Sequence, residues 1–181
     1  MRGLLEAHLV LLERQVQHDV VRLPARVTSA DALPAVLGLA PADCVAVRVF
    51  HTDDGPVAAL VQAGQWPDHA LLAAALRFRG RSAEGLRRAT RDETNSSTDF
   101  QAGLVSPLAL PDGVLVLADI ALLRSSVVYV PTGDSGTALG THTRDLLTVT
   151  GAQLGVLTRV AAPQEPAGAQ PPAPRLAAPT H

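Results

Sequence analysis

The sequence predicts a mixed α/β domain, α+β-like, with a mixed central sheet and short flanking helices. Three observations carry that expectation. Short apolar strand patterns alternate with short helical ones without a regular strand-helix repeat, which argues against a doubly wound fold. No internal repeat is visible along the chain. The 181 residues, 47% of them hydrophobic, make one domain with a sizeable core.

Residues 3 to 17 carry Leu5, Leu9, Leu12 and Val16 at spacings of four, three and four, flanked by Glu6, Glu13, Arg14 and Gln17. That is the repeat of one helical face and predicts a helix packed by it on the domain edge. A short helix is expected between Ser29 and Leu37. Thr28 or Ser29 can accept from its free first-turn amides, Pro34 makes it start late or bend, and Gly38 stops it. Cys44 to Phe50 reads as a strand, with Val45, Val47 and Val49 on one face and Cys44, Ala46, Arg48 and Phe50 on the other. Asp53-Asp54-Gly55 turns the chain into a second strand, Pro56 to Val61, and so makes a hairpin.

A helix follows from Pro67 or Asp68 to Phe78, carrying Leu71, Leu72, Ala75 and Leu76. Ser82 to Ala89 is expected as another short helix and Arg91 to Gln101 as a polar loop. Beyond Gly103, Val114 to Leu117 and Val127 to Val130 are strands, separated by a turn or short helix near Asp119 to Arg124. Thr143 to Val149 is a short helix ended by Gly151, and Leu154 to Val160 is a final strand. Residues 1–160 therefore read as a single domain. Residues 161–181 hold six Pro and seven Ala with Leu176 as the only large aliphatic. Such a segment cannot offset the entropy of ordering and is expected to be a disordered tail.

Composition excludes several chemistries. All 15 basic residues are Arg, so no mechanism can use a Lys side chain. Cys44 is the only Cys, which rules out an internal disulfide and any Cys pair for zinc or an iron-sulfur cluster. Glu6, His8 and Glu13 interrupt the first apolar run before a secretory core can form, and no stretch reaches the roughly 18 apolar residues of a membrane span. The expectation is a soluble, cytoplasmic protein that uses no membrane. Its six His residues form no HxH or HExxH arrangement, so no metal is expected. No GxSxG elbow is present, although a triad assembled in space stays open.

The formal charge of −2 argues against bulk attraction to nucleic acid, but its distribution is uneven. Arg77, Arg79, Arg81, Arg87, Arg88 and Arg91 face one acid, Glu84, in the same stretch. They read equally as an RNA-backbone patch or as an ordinary solvated face. Gly133-Asp134-Ser135-Gly136 reads equally as an anion-cradling loop or as a turn after a strand.

From Gly103-Leu104-Val105-Ser106-Pro107 onward the chain resembles the YbaK and prolyl-tRNA synthetase-associated editing-domain family. The resemblance continues through Leu110-Pro111, the strand Val114 to Leu117, Asp119, Val128 to Val130, Gly133 to Gly136, and Asp145-Leu146 before Thr150-Gly151. Backwards it reaches Thr98-Asp99-Phe100, where the family usually has Thr-Gly-Tyr, and it covers approximately residues 25 to 152. It implies a compact mixed α/β fold and hydrolysis of the ester joining a wrong or small amino acid to the terminal adenosine of tRNA. The implied chemistry needs no cofactor. The implied partners are the acceptor end of aminoacyl-tRNA and, with it, an aminoacyl-tRNA synthetase or a translation factor.

On the same resemblance, the loop Gly103 to Pro107 shapes the pocket around the aminoacyl group, with Leu104 and Val105 binding substrate and Ser106 adding polarity. Ala46 and Phe100 are expected to bind substrate as well, and the loop Gly133, Asp134, Ser135 and Gly136 to help enclose the terminal nucleotide. The departure lies in the Cys44 to Phe50 strand, where the family's characteristic Lys corresponds to Ala46. Arg48, on the same face and about 6.6 Å along, is the expected substitute for its charge. The open alternatives are that Arg48 pairs with an acid or lies at the sheet edge, and that the chain is a tRNA- or nucleotide-binding module that lost the lysine with its turnover.

Overall fold

A computed structural model describes residues 1–159 of the chain. The elements, in order, are α1 (Leu4–Glu13), β1 (His18–Arg22), α2 (Leu33–Leu37), β2 (Val45–Thr52), β3 (Gly55–Gln62), α3 (His69–Phe78), β4 (Arg87–Arg88), α4 (Arg91–Thr98), β5 (Leu115–Asp119), β6 (Val127–Pro131), β7 (Thr137–His142), α5 (Thr143–Thr150) and β8 (Gln153–Gly155). Short 3-10 turns at Ala30–Ala32, Pro41–Asp43 and Ile120–Arg124 complete the course. The expected tail at 161–181 lies outside the described residues.

The mixed α/β class is as expected, and its strands divide into two sheets. The larger runs β4-β2-β3-β5-β8, antiparallel at β4-β2-β3 and parallel at β3-β5-β8. The smaller is antiparallel, β1-β7-β6, and a single bridge between Cys44 and Tyr129 joins the two. Strand β2 is buried on both faces. Val45, Val47 and Val49 pack with Leu11, Phe100, Val105 and Leu146, whereas Cys44 and Ala46 pack with Val27, Leu33 and Leu104. A strand covered on both sides loses little by carrying an almost continuous apolar run.

Several expectations are corrected. Helix α1 stops at Glu13, and Gln15, at φ +54°, reverses the chain before Val16. The helix turns Ala7 and Leu11 inward and leaves Leu5, Leu9 and Leu12 exposed. Leu4, Ala7 and Leu11 form a second apolar stripe, so periodicity alone could not choose between the two. The expected helix over Ser82 to Ala89 is a turn followed by β4. There the Asp53 amide donates to Glu84 O, the Ser82 amide donates to Asp54 Oδ2, and Gly85 lies against Asp53 at φ +66°. The expected loop at Arg91 to Gln101 contains α4, started by a reciprocal cap in which Thr90 Oγ1 accepts the Glu93 amide and the Glu93 carboxylate accepts the Thr90 amide. Asp99 ends that helix at φ +60°, a conformation Asp tolerates better than most residues, at the position where the resembling family usually has glycine. Strands β1 and β7 were not expected.

Candidate functional site

The site forms where the outer edge of β2 meets the loop that follows α4. Cys44 O accepts the Ala63 amide, so alternate residues of β2 turn their peptide groups toward β3, and Val45, Val47 and Val49 turn theirs the other way. On that outer side Val49 O takes the Ala89 amide, and β4 pairs only with Phe50 and His51. Among the described residues no strand pairs with Val47 on that side.

The loop approaches this gap through Gly103. Its carbonyl accepts the Ala30 amide at 2.8 Å, its φ is +92°, and a Cβ there would stand 2.6 Å from Thr28 O. Only glycine fits that backbone. Between loop and edge lies a cavity of about 250 Å³ lined by Val47, Arg48, Val49, Trp66, Ala89, Arg91, Thr94, Ala102, Gly103 and Val105. These side chains include no carboxylate, imidazole or thiol. The one hydroxyl among them, Thr94 Oγ1, donates to Thr90 O.

Arg48 reaches the cavity already paired. Its Nη2 donates to Asp31 Oδ1 at 2.6 Å, its Nε donates to Gln65 O at 3.0 Å, and its guanidinium lies 4.3 Å from the centroid of Trp66. With 7% of its surface exposed, it is a fixed cation. Partial burial works against ionisation of Asp31, but the bonds from Arg48 and from the Gly64 amide hold its carboxyl below the usual carboxylate value. The alternative of pairing with an acid is thus the one observed, so Arg48 is not an uncompensated positive charge. Ala46, 1% exposed, faces the apolar cluster of Val27, Leu33 and Leu104 and does not line the cavity.

The other expected site residues divide. Val105 lines the cavity, but Leu104 points into the cluster around Ala46. Ser106 is fully buried, and its Oγ accepts the Leu108 amide at 3.3 Å, so its polarity is used inside its own turn. Pro107 borders a separate cavity of about 330 Å³ with Val10, Arg14 and Asp112, larger but without the Gly103 backbone or the β2 edge. Phe100 is wholly buried beneath Gly133, whose added Cβ would lie 2.7 Å from the ring. The loop Gly133 to Gly136 is closed by Asp134 Oδ1 accepting the Gly136 amide, while Ser135 O and Gly136 O accept from Val27 and Leu23. Its amides are arranged as a turn, and it does not line this cavity.

The arginine run does not form one free patch. Arg79 donates to Ala75 O and Leu154 O, Arg81 faces Asp54 at 3.8 Å, and Arg87 grips Glu93 with both terminal nitrogens. Arg77 lies in the last turn of α3. That leaves Arg91, which lines the cavity, and Arg88, whose guanidinium lies 4.1 Å from the centroid of the lining residue Trp66. Neither has an ionic partner among the described residues. Trp66, Thr94 and Ala102 are lining residues that sequence reasoning missed altogether. The only signal for Trp66 was being the single Trp of the chain, in the segment between β3 and α3.

Among the described residues no three His, Cys, Asp or Glu are grouped to hold a metal, and no helix is long and apolar enough to cross a membrane. Comparison with solved structures finds the same fold repeatedly. Hypothetical protein APE2540 superposes with a TM-score of 0.75 at 19% identity, over 85% of this chain and 99% of its own. A candidate trans-editing enzyme for prolyl-tRNA synthetase gives a TM-score of 0.72 at 25% identity, over 86% and 96%. A scaffold used for computational grafting of epitopes gives 0.71 at 23% identity, over 86% and 96%. No curated protein matches by sequence. The family model described as the aminoacyl-tRNA editing domain matches residues 24–164, which spans every element from α2 to β8, and the chain belongs to that family.

Proposed function

We propose that the protein hydrolyses the ester bond of mischarged aminoacyl-tRNA, acting in trans with water as nucleophile. The observation that carries this reading is the convergence of the Gly103 backbone and the unpaired edge of β2 at Val47 on one small cavity without an acid-base side chain. Peptide groups held rigid on a sheet edge and a glycine loop can orient an aminoacyl ester without reorganising during reaction. The water oxygen attacks the carbonyl carbon, the bond from that carbon to the ribose oxygen breaks, and the water proton passes to the departing ribose oxygen, assisted by substrate groups. Free amino acid and tRNA result. Arg91 and Arg88 lie where the phosphates of an acceptor end would approach, and Arg48 acts with Asp31 as a fixed wall. The reaction belongs in the cytoplasm, downstream of an aminoacyl-tRNA synthetase or alongside a translation factor.

The test is a panel of alanyl-, prolyl- and cysteinyl-tRNA, each mischarged, incubated with the full chain. Release of amino acid from at least one, above the rate without protein, supports the reading. A second reading is a binding module that lost turnover. It is favoured by the apolar surroundings of Ala46 and by the neutralised charge of Arg48. It predicts bound RNA with background release across the panel.

A further inference from the structure

Trp66 stands at the mouth of the cavity with 42% of its surface exposed, an unusual position for the largest apolar side chain in the protein. One guanidinium over its ring, that of Arg48, is immobilised by Asp31 and Gln65. The other, that of Arg88, belongs to an exposed side chain without an ionic partner among the described residues. An aromatic ring that holds a cation loosely can exchange it for another flat π-system, and the displaced guanidinium is then free for an anion. A nucleotide supplies both groups, a base for the ring and a phosphate for the arginine.

We propose that Trp66 is the stacking surface for the terminal base of the RNA, with Arg88 released from the ring to meet the adjoining phosphate and Arg91 supplying a second cation. This rests on the editing reading for the identity of the RNA, but not on turnover. The base, a purine at the tRNA terminus, docks against the indole, and the ester it carries extends toward Gly103. Trp66 is here a positioning residue that acts through the nucleotide and touches no reacting atom.

Trp66 is the only tryptophan, so intrinsic emission reports on this ring alone. The experiment titrates the full chain with an uncharged acceptor-stem minihelix ending in CCA and with the same minihelix ending in CC, reading emission and, independently, filter binding. The expected result is a saturable change in emission with CCA and at least several-fold weaker binding of CC. Trp66→Leu is expected to weaken binding of the CCA minihelix by about tenfold, and Trp66→Phe, which keeps a ring, to restore most of it. Unchanged emission when filter binding has saturated, or equal affinity for the two minihelices, overturns the proposal. The editing reading fails separately: an emission response to CCA without deacylation of any aminoacyl-tRNA leaves the stack standing. Deacylation with an unchanged KM in Trp66→Leu defeats the stack alone.

Discussion

Arg48 on β2 and Asp31, in the 3-10 turn ahead of α2, meet at 2.6 Å, so the strand edge and the segment that carries the Gly103 loop are tied by one ion pair. Asp31→Asn keeps an acceptor oxygen for Arg48 but leaves its nearly buried guanidinium without the compensating negative charge. Asp31 is more than one-third exposed, which discounts the loss well below that of a fully buried pair, to about 1–2 kcal/mol. Thermal denaturation at pH 7 should show the midpoint lowered by about 2–8 °C.

The same pair gives a pH dependence of known sign. The folded-state pKa of Asp31 lies below its ordinary value, so at low pH the unfolded chain takes up this proton first. Its stabilisation is complete above the unfolded value of about 4 and fades as pH falls through the lower folded value. Midpoints measured from pH 7 down to pH 3 should fall less in Asp31→Asn than in the wild type. Equal slopes would remove Asp31 from the account.

Gly103→Ala places a methyl 2.6 Å from Thr28 O at a φ of +92°. Strain and displacement together should cost about 2 kcal/mol or more, and the loop must leave the position set by the Ala30 bond. If the editing reading holds, kcat/KM for deacylation should drop at least about tenfold while circular dichroism stays that of a folded protein.

The two outer glycines of the second loop should differ sharply. A Cβ at Gly133 would strike Phe100 and Arg2 O at 2.7 Å, with φ +89°, whereas at Gly136 the nearest atom is 3.5 Å away. Gly133→Ala should lower stability by about 2 kcal/mol or more, and Gly136→Ala by less than about 1. Urea denaturation of the two variants decides it.

Restoring the family lysine should not restore a site. Ala46→Lys would put an ammonium among Leu33, Leu104 and Val27 without a partner, at a cost of about 3 kcal/mol or more. The expected outcome is a destabilised protein with no gain in deacylation. A stable, more active variant would show that the cavity extends to this face. Cys44, beside it, offers a probe of the same packing. Burial, with a contribution from Asp43, pushes its thiol up to about 11, so at pH 8 only about one in a thousand is ionised. A disulfide reagent should label it only at the rate of unfolding.

Much of this fold is legible in the chain because its signals are local. The valine alternation of β2, the Asp-Asp-Gly turn into β3, and Gly38 and Gly151 as helix stops are each decided by neighbours in sequence. The failures are of two kinds. In α4 a local signal was present, Thr90 and Glu93 in capping positions, but polarity masked it. In α1 and β7 the outcome depends on what packs against them, which no periodicity contains. The site divides the same way. Gly103 announces itself as a glycine in a loop, while Trp66, Asp31 and the open edge at Val47 become neighbours only through the sheet order. The arginine run looks uniform in sequence, yet its members differ because Glu93, Asp54 and two carbonyls claim three of them.

Both faces of β2 are filled, so the strand meets the cavity chiefly through the peptide groups at its rim. Such groups are supplied by every residue except proline, and mutation of side chains leaves them in place. If the editing reading holds, the walls around them can therefore drift, admitting one guest and refusing another, while the rim persists unaltered.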